Sequence, residues 1–477
     1  MQRLSSFAQA ASRQYTQAVY CFPYDYYTSK KATTEHLRSS IQRLEEQFPL
    51  LAGTLHMSPE EGIVSVRPGG GKIPFQVFIT GGQQLAPTDD LTYFDCYYSL
   101  LASRGFPPQA FVQDFLKLDG ELGLGKGPVP VSHVRATFIP EGLLIWLSIH
   151  HTVADDHCLG LFAGCFAAAT RREPIPSGTP MSPVLNLPKD PVWAPATLMT
   201  LGRACPEFDI LLYPGESPSL PDALPGGLPL SEIPKTGKIF IFRLDRLEHL
   251  RSLIYNASDP EAEPPSIDAC LTALTMAYVT QARLETESGS APEDDNPYTA
   301  KLVTPVNWRD CVGRGVAADY FGNAVITLLT RIPLGEVKDA CADGTMAAMA
   351  RLVAKISASV ATVDEEAVLK RDALFHRVGD TRRLLLRVDS RRPADLEFSS
   401  WRRTLGADTP WNIPGVLSGR PDAIRRVRGD WNIGNALVLP ARLNSRVYEL
   451  QLSLPKVSMD ALCQNEGWMA WVDKVVG

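Results

Sequence analysis

The 477-residue chain reads as an α/β protein built in two halves around a proline-rich crossover. Short apolar, strand-like runs alternate with segments of helical periodicity on both sides of the middle. Between residues 173 and 235 proline and glycine recur every few positions, as at Pro174, Pro176, Pro180, Pro183, Pro188, Pro191, Pro214, Pro218, Pro221 and Pro225, which is linker composition. At roughly 100–200 residues per domain, the length accommodates two or three units with their own cores. The expected boundaries are a first domain over 1–185, a crossover over 186–235 and a second domain over 236–477.

In the first half, Thr33 and Thr34 are candidate caps of a helix carrying Leu37, Ile41, Leu44 and Phe48 on one face, ended by Pro49. Strand-like runs follow near Leu50–His56 and Ile63–Val66. Val131 to Phe138 alternates as a strand does, and Pro140-Glu141-Gly142 turns into the apolar run Leu143–Ile149, so the two predict a hairpin. A helix is expected over Leu159–Phe166.

In the second half, Lys238–Leu244 predicts a strand, and Asp245–Tyr255 and Ser266–Leu284 predict helices. Lys301–Asn307 and Ala324–Leu329 predict strands, Thr345–Val363 and Glu365–Val378 helices, Ala436–Leu439 and Val447–Leu454 strands, and Ser458–Val475 a closing helix.

Composition narrows the function classes. A hydrophobic share of 45% and a charged share of 21% suit a globular protein, and a net charge of −6 argues against a general nucleic-acid binder. Nine cysteines are scattered without a CxxC pair, a pattern expected of reduced thiols in the cytoplasm. No signal-peptide core opens the chain, and no run nears the ~20 apolar residues of a membrane span.

The most informative stretch is His150-His151-Thr152-Val153-Ala154-Asp155, at the end of the apolar run. A neutral imidazole takes a proton near pH 7 because its ordinary pKa is about 6.5. Asp155 either orients that imidazole or faces away and locks the loop through an arginine; the spacing leaves both open. A metal site built from His151, Asp155 and His157 lacks a clear further ligand. There is no GxSxG elbow for a serine nucleophile. Cys158 sits in an apolar helical run, where packing is the simpler role.

Around this loop stand further motifs in order: Leu4-Ser5-Ser6 to Cys21-Phe22-Pro23, Phe48-Pro49-Leu50-Leu51-Ala52-Gly53, Val306-Asn307-Trp308-Arg309, Tyr320-Phe321-Gly322-Asn323 and Phe398-Ser399-Ser400-Trp401. Together with the HHxxxD stretch they make the chain resemble the BAHD family of acyl-CoA-dependent acyltransferases, and its fungal secondary-metabolite members most closely. The resemblance implies two chloramphenicol-acetyltransferase-like domains, each a mixed sheet flanked by helices, with a channel between them. It implies an O-acyltransferase, by family habit an acetyltransferase, that acts on a hydroxyl of a small metabolite. It is expected to be a monomer with acyl-CoA as co-substrate and no permanently bound cofactor or metal. His151 would be the general base, Asp155 would pair with Arg309, and Trp401 and Ser399 would serve the acceptor and the tetrahedral oxyanion. His150, Arg309 and Asp408 would support the site, and Ser266, Tyr320, Asn323 and Arg420 would contact CoA.

Two departures from the family pattern are visible. Asp156 stands where glycine is common, crowding the turn and adding a charge near the base. The DFGWG segment is reduced to Asp408-Thr409-Pro410-Trp411-Asn412. Coenzyme A needs a local basic field, and arginines cluster between Arg371 and Arg428, among them Arg382, Arg383, Arg391, Arg392, Arg402, Arg403, Arg420, Arg425, Arg426 and Arg428. Two rival readings share the HHxxxD loop: a condensation-type enzyme with a carrier-bound donor, and a metabolite-binding protein without acyl transfer.

Overall fold

A computed structural model describes residues 1–79, 97–112, 127–176, 178–213, 232–259, 261, 263–287, 299–313, 320–342 and 346–477. Two sheets dominate. The first has five strands in the order Ala423–Arg426, Tyr15–Pro23, Gly142–His150, Ser132–Ile139, Phe75–Ile79. The predicted hairpin pairs antiparallel from Ile139↔Gly142 to Ser132↔Ile149 around Glu141, whose φ of 62° makes the tight turn. Every residue of Gly142–His150 is buried, which explains its nearly unbroken apolar sequence. The helices Lys30–Gln47 and Asp156–Thr170 cover one face, with Leu37, Ile41, Leu44 and Phe162 in a shared core.

The second sheet has seven strands in the order Val325–Pro333, Thr299–Asn307, Asp395–Ser400, Asn435–Val438, Val447–Pro455, Lys235–Arg243, Lys474–Val476. It packs on the helices Leu244–Asn256, Ile267–Thr286 and Ala347–Val360 around Leu271, Leu274, Leu352, Leu450 and Trp468. Ala423–Arg426 lies in the second half of the sequence yet completes the first sheet, pairing Arg426 with Ala18 and Ala423 with Cys21. The two halves are therefore interlocked by a strand as well as by the crossover.

Several elements differ from expectation. The cap of the first long helix is Ser29, whose hydroxyl accepts from Ala32 N–H at 3.3 Å. Thr33 is buried instead and bonds Tyr24 Oη at 2.7 Å and the Pro414 carbonyl at 2.9 Å. The first turn carries Lys30 and Lys31, so no apolar periodicity marks it. The expected closing helix breaks at Asn465, which caps the short helix Glu466–Met469, and the chain ends as a strand. Within the crossover, Leu198–Ala204 is helical and Phe208–Ile210 pairs with Leu384–Leu386. Pro214, Pro218, Pro221, Pro225 and Thr345 lie outside the described residues. No described helix is long and apolar enough to cross a membrane. The described cysteines are all free thiols, and no cluster of described side chains could hold a metal ion.

Candidate active site: a histidine channel between the two sheets

A cavity of about 1570 Å³ runs between the sheets. Gln14–Gln17 and Arg426–Arg428 line it from the first sheet, Thr304–Asn307 and Glu397–Ser400 from the second, and the helices Ile267–Thr286 and Ala347–Val360 close it. Single-ligand pockets usually span ~300–1,000 Å³, so this one has room for two substrates side by side.

His151 lies in this channel, one residue past the end of the buried strand. Its backbone N–H donates to the Gln14 carbonyl at 2.7 Å. Asn323 fixes the ring: its Nδ2 donates to the His151 carbonyl at 2.7 Å and the Thr152 carbonyl at 3.3 Å. The amide oxygen Oδ1 therefore faces His151 Nδ1, 3.1 Å away. Because that oxygen only accepts, Nδ1 carries the proton and Nε2 carries the free lone pair.

Asp155 takes no part in holding the imidazole. Its carboxylate caps the helix Asp156–Thr170 by accepting from Cys158 N–H at 3.1 Å, and accepts from Ala324 N–H at 3.0 Å. Arg309 clasps both oxygens, Nη1 to Oδ2 at 2.8 Å and Nη2 to Oδ1 at 3.2 Å, while Nη2 also reaches the Gly322 carbonyl at 2.7 Å. Burial pushes this carboxyl up, but Arg309 and the two N–H groups more than offset it, leaving its pKa below the usual range. Of the two roles the spacing left open, the geometry is that of the loop lock.

His150 is fully buried; its Nδ1 accepts from Thr152 N–H at 3.2 Å and its ring meets Tyr15 edge-on, with burial lowering its pKa to about 3. Its imidazole is therefore buried and held neutral. Asp156 lines the channel, and desolvation, reinforced by neighbouring Asp155, pushes its carboxyl up to about 7. The full negative charge expected of it is thereby reduced at neutral pH.

Trp401 and Ser399 line the channel, and Arg426 lies over the Trp401 ring at 5.5 Å. Of the residues expected at CoA, Ser266 lines the channel, but its hydroxyl is engaged in capping at Ala269 N–H, 3.0 Å away, and Glu263 and Asp268 flank it. Tyr320 and Asn323 do not line it. Tyr320 is buried, its hydroxyl 2.6 Å from Ser5 Oγ, and Asn323 faces the histidine loop. Arg420 is exposed outside the channel and donates to the Asp408 carbonyl at 2.9 Å; Asp408 in turn accepts from Leu443 N–H at 2.6 Å. Among the clustered arginines only Arg426 and Arg428 line the channel. Arg391, Arg382 and Arg425 are committed to Asp389, Asp380 and Glu449.

The sequence reading overlooked the pairing of Asn323 with His151, which spans 172 positions and leaves no spacing signal. It also passed over Arg351, a channel residue on the helix Ala347–Val360.

The chain is similar to known proteins in both sequence and fold. The model of the transferase family matches residues 2–468. The chain is 26% identical to the O-acetyltransferase SAT5 of Stachybotrys chartarum, over 96% of this chain and 92% of that one. It is 22% identical to a trichothecene 8-O-acetyltransferase of Fusarium sporotrichioides, over 78% of each chain. Its fold is similar to that of F. graminearum TRI101 complexed with coenzyme A and T-2 mycotoxin, with a TM-score of 0.76 at 17% identity over 100% of this chain and 99% of that one. Vinorine synthase is similar at a TM-score of 0.60 and 17% identity, over 99% of this chain and 94% of that one. The chain thus belongs to the transferase family of BAHD acyltransferases, and its two-sheet α/β fold is the fold of that family.

Proposed function

We propose that this protein transfers an acyl group, by preference acetyl, from coenzyme A to a hydroxyl of a small secondary metabolite. The observation that carries the reading is the Nε2 lone pair of His151, freed by Asn323 and held in a channel with room for both substrates. His151 Nε2 takes the hydroxyl proton as the oxygen attacks the thioester carbonyl. The tetrahedral oxyanion collapses, the C–S bond breaks, and the imidazolium returns its proton to the departing thiolate. No covalent acyl-enzyme forms. Trp401, with its indole at the channel and no side-chain hydrogen bond to a described residue, is the oxyanion donor. One such donor lowers a barrier by about 2.7–4 kcal/mol. The relatives named for O-acetylation support the acetyl preference.

Calorimetric titration with acetyl-CoA, followed by turnover assays of His151→Ala on a panel of hydroxylated metabolites, tests this. Binding of acetyl-CoA with activity lost in the variant is expected; full activity in His151→Ala would sink the mechanism. A carrier-bound donor preferred over acetyl-CoA would replace the donor assignment.

A further inference from the structure

Arg428 lies in the channel wall with no ion-pair partner among the described residues. It lines the channel half-buried, and its guanidinium makes no hydrogen bond or ion pair with any described residue. Its neighbours are committed: Arg425 pairs with Glu449 at 2.9 Å, and Arg426 donates to Asn435 Oδ1 at 2.7 Å. Burial lowers the Arg428 pKa, and Glu397, reaching the channel from the Asp395–Ser400 strand, acts against this without contacting it as an ion pair. A half-buried guanidinium with no hydrogen-bond partner among the described residues presents its donors to the channel, where a ligand that brings an anion meets them.

Position narrows which ligand. Arg426 pairs with Ala18, and Val427 N–H donates to the Gln17 carbonyl at 3.2 Å, so Arg428 continues level with Thr16. Thr16 pairs with Ile149 and Tyr15 with His150. Arg428 and His151 therefore flank one end of the first sheet, their backbones two strand spacings across and two residues along, or ~12 Å, apart. The phosphates of coenzyme A are separated from its sulfur by the whole pantetheine arm, whereas Arg428 stands at the same end of the sheet as the base, two residues off its level.

We infer that Arg428 is a specificity-determining residue that takes a carboxylate of the acceptor, carried within roughly 12 Å of the hydroxyl being acylated. The planar fork of arginine suits a bidentate carboxylate, which lysine meets only as a point charge. This rests on reading the channel as the acyl-transfer site.

The probe is 3-(4-hydroxyphenyl)propanoate against its methyl ester, titrated into the full-length protein with and without coenzyme A. Wild type should bind the acid about tenfold or more tighter than the ester, Arg428→Gln should lose that preference, and Arg428→Lys should keep part of it. The Kd for coenzyme A should stay within about threefold in all three, since a charge contact is worth far more than that. If wild type binds coenzyme A but shows no preference for the acid, or binds neither probe, the inference is overturned. It is also overturned if Arg428→Gln weakens coenzyme A and spares the acid, which would assign the guanidinium to the donor. Failure of wild type to bind coenzyme A at all would instead remove the acyl-transfer reading.

Discussion

Asn323 grips His151 twice: its Nδ2 bonds the His151 carbonyl at 2.7 Å, and its Oδ1 faces the ring Nδ1 at 3.1 Å. One amide thus sets both the backbone of the histidine loop and the tautomer of the ring. Many histidine bases use a carboxylate for the second task. Here the nearby carboxylate, Asp155, is occupied by Arg309, and a neutral amide does the orienting.

Asn323→Ala frees the ring to adopt either tautomer. A positioned base contributes about 10²–10⁴-fold to rate, so loss of orientation should lower kcat by roughly 10–100-fold with a smaller change in KM for acetyl-CoA. Steady-state kinetics checks this. An unchanged kcat would show that Asn323 does not govern the base.

His151→Ala should lower kcat by about 10²–10⁴-fold. The ring makes one side-chain hydrogen bond and lies in an open channel, so thermal unfolding should leave the melting temperature nearly unchanged.

Arg309→Ala leaves the Asp155 carboxylate buried with its main cation gone. Breaking one partner of a buried pair typically costs about 3–5 kcal/mol, measurable by urea unfolding. Asp155→Asn should act in the same direction. The double variant should cost less than the sum of the two, because each single change already breaks the same clasp.

Asp156 gives a pH signature in stability. Its carboxyl releases a proton near the ordinary value when unfolded and only at about 7 when folded, first through desolvation and then through Asp155. Between those values the folded state holds more protons, so this group's contribution falls as pH rises from about 4 to 7. Asp156→Asn should therefore stabilise the protein at pH 8 relative to wild type by more than at pH 5. Unfolding series at both values test the sign.

Gly160 sets how closely its helix approaches the segment after Trp401. A Cβ there would stand 1.7 Å from the Thr404 carbonyl oxygen, backbone against backbone. Gly160→Ala should destabilise by about 1–3 kcal/mol and lower kcat by shifting Trp401. Unaltered stability would mean the two segments separate freely.

How much of this was legible beforehand differs from residue to residue. The 142–150 strand announced itself because burial on both faces demands an apolar run, and the 365–378 helix because one face must pack. The first long helix misled at its start, since Lys30 and Lys31 form an exposed turn without apolar period. Tyr320 and Arg420 were expected at coenzyme A; motif order placed them near the site, but side-chain direction turned one inward to Ser5 and the other to the surface.

The sequence alone determined the alternation of elements, the histidine loop and the family, because local periodicity and short motifs are written within a few consecutive residues. Tertiary structure decided the partners. Asn323 meets His151 across 172 positions, Arg309 meets Asp155 across 154, and Ala423–Arg426 crosses into the first sheet, opposite Ala18–Cys21. Such contacts depend on how two sheets face each other. The charge of Asp156 and the electrostatic setting of Arg428 are likewise fixed by what surrounds them in space, since desolvation and Coulomb interaction act through distance and not through spacing along the chain.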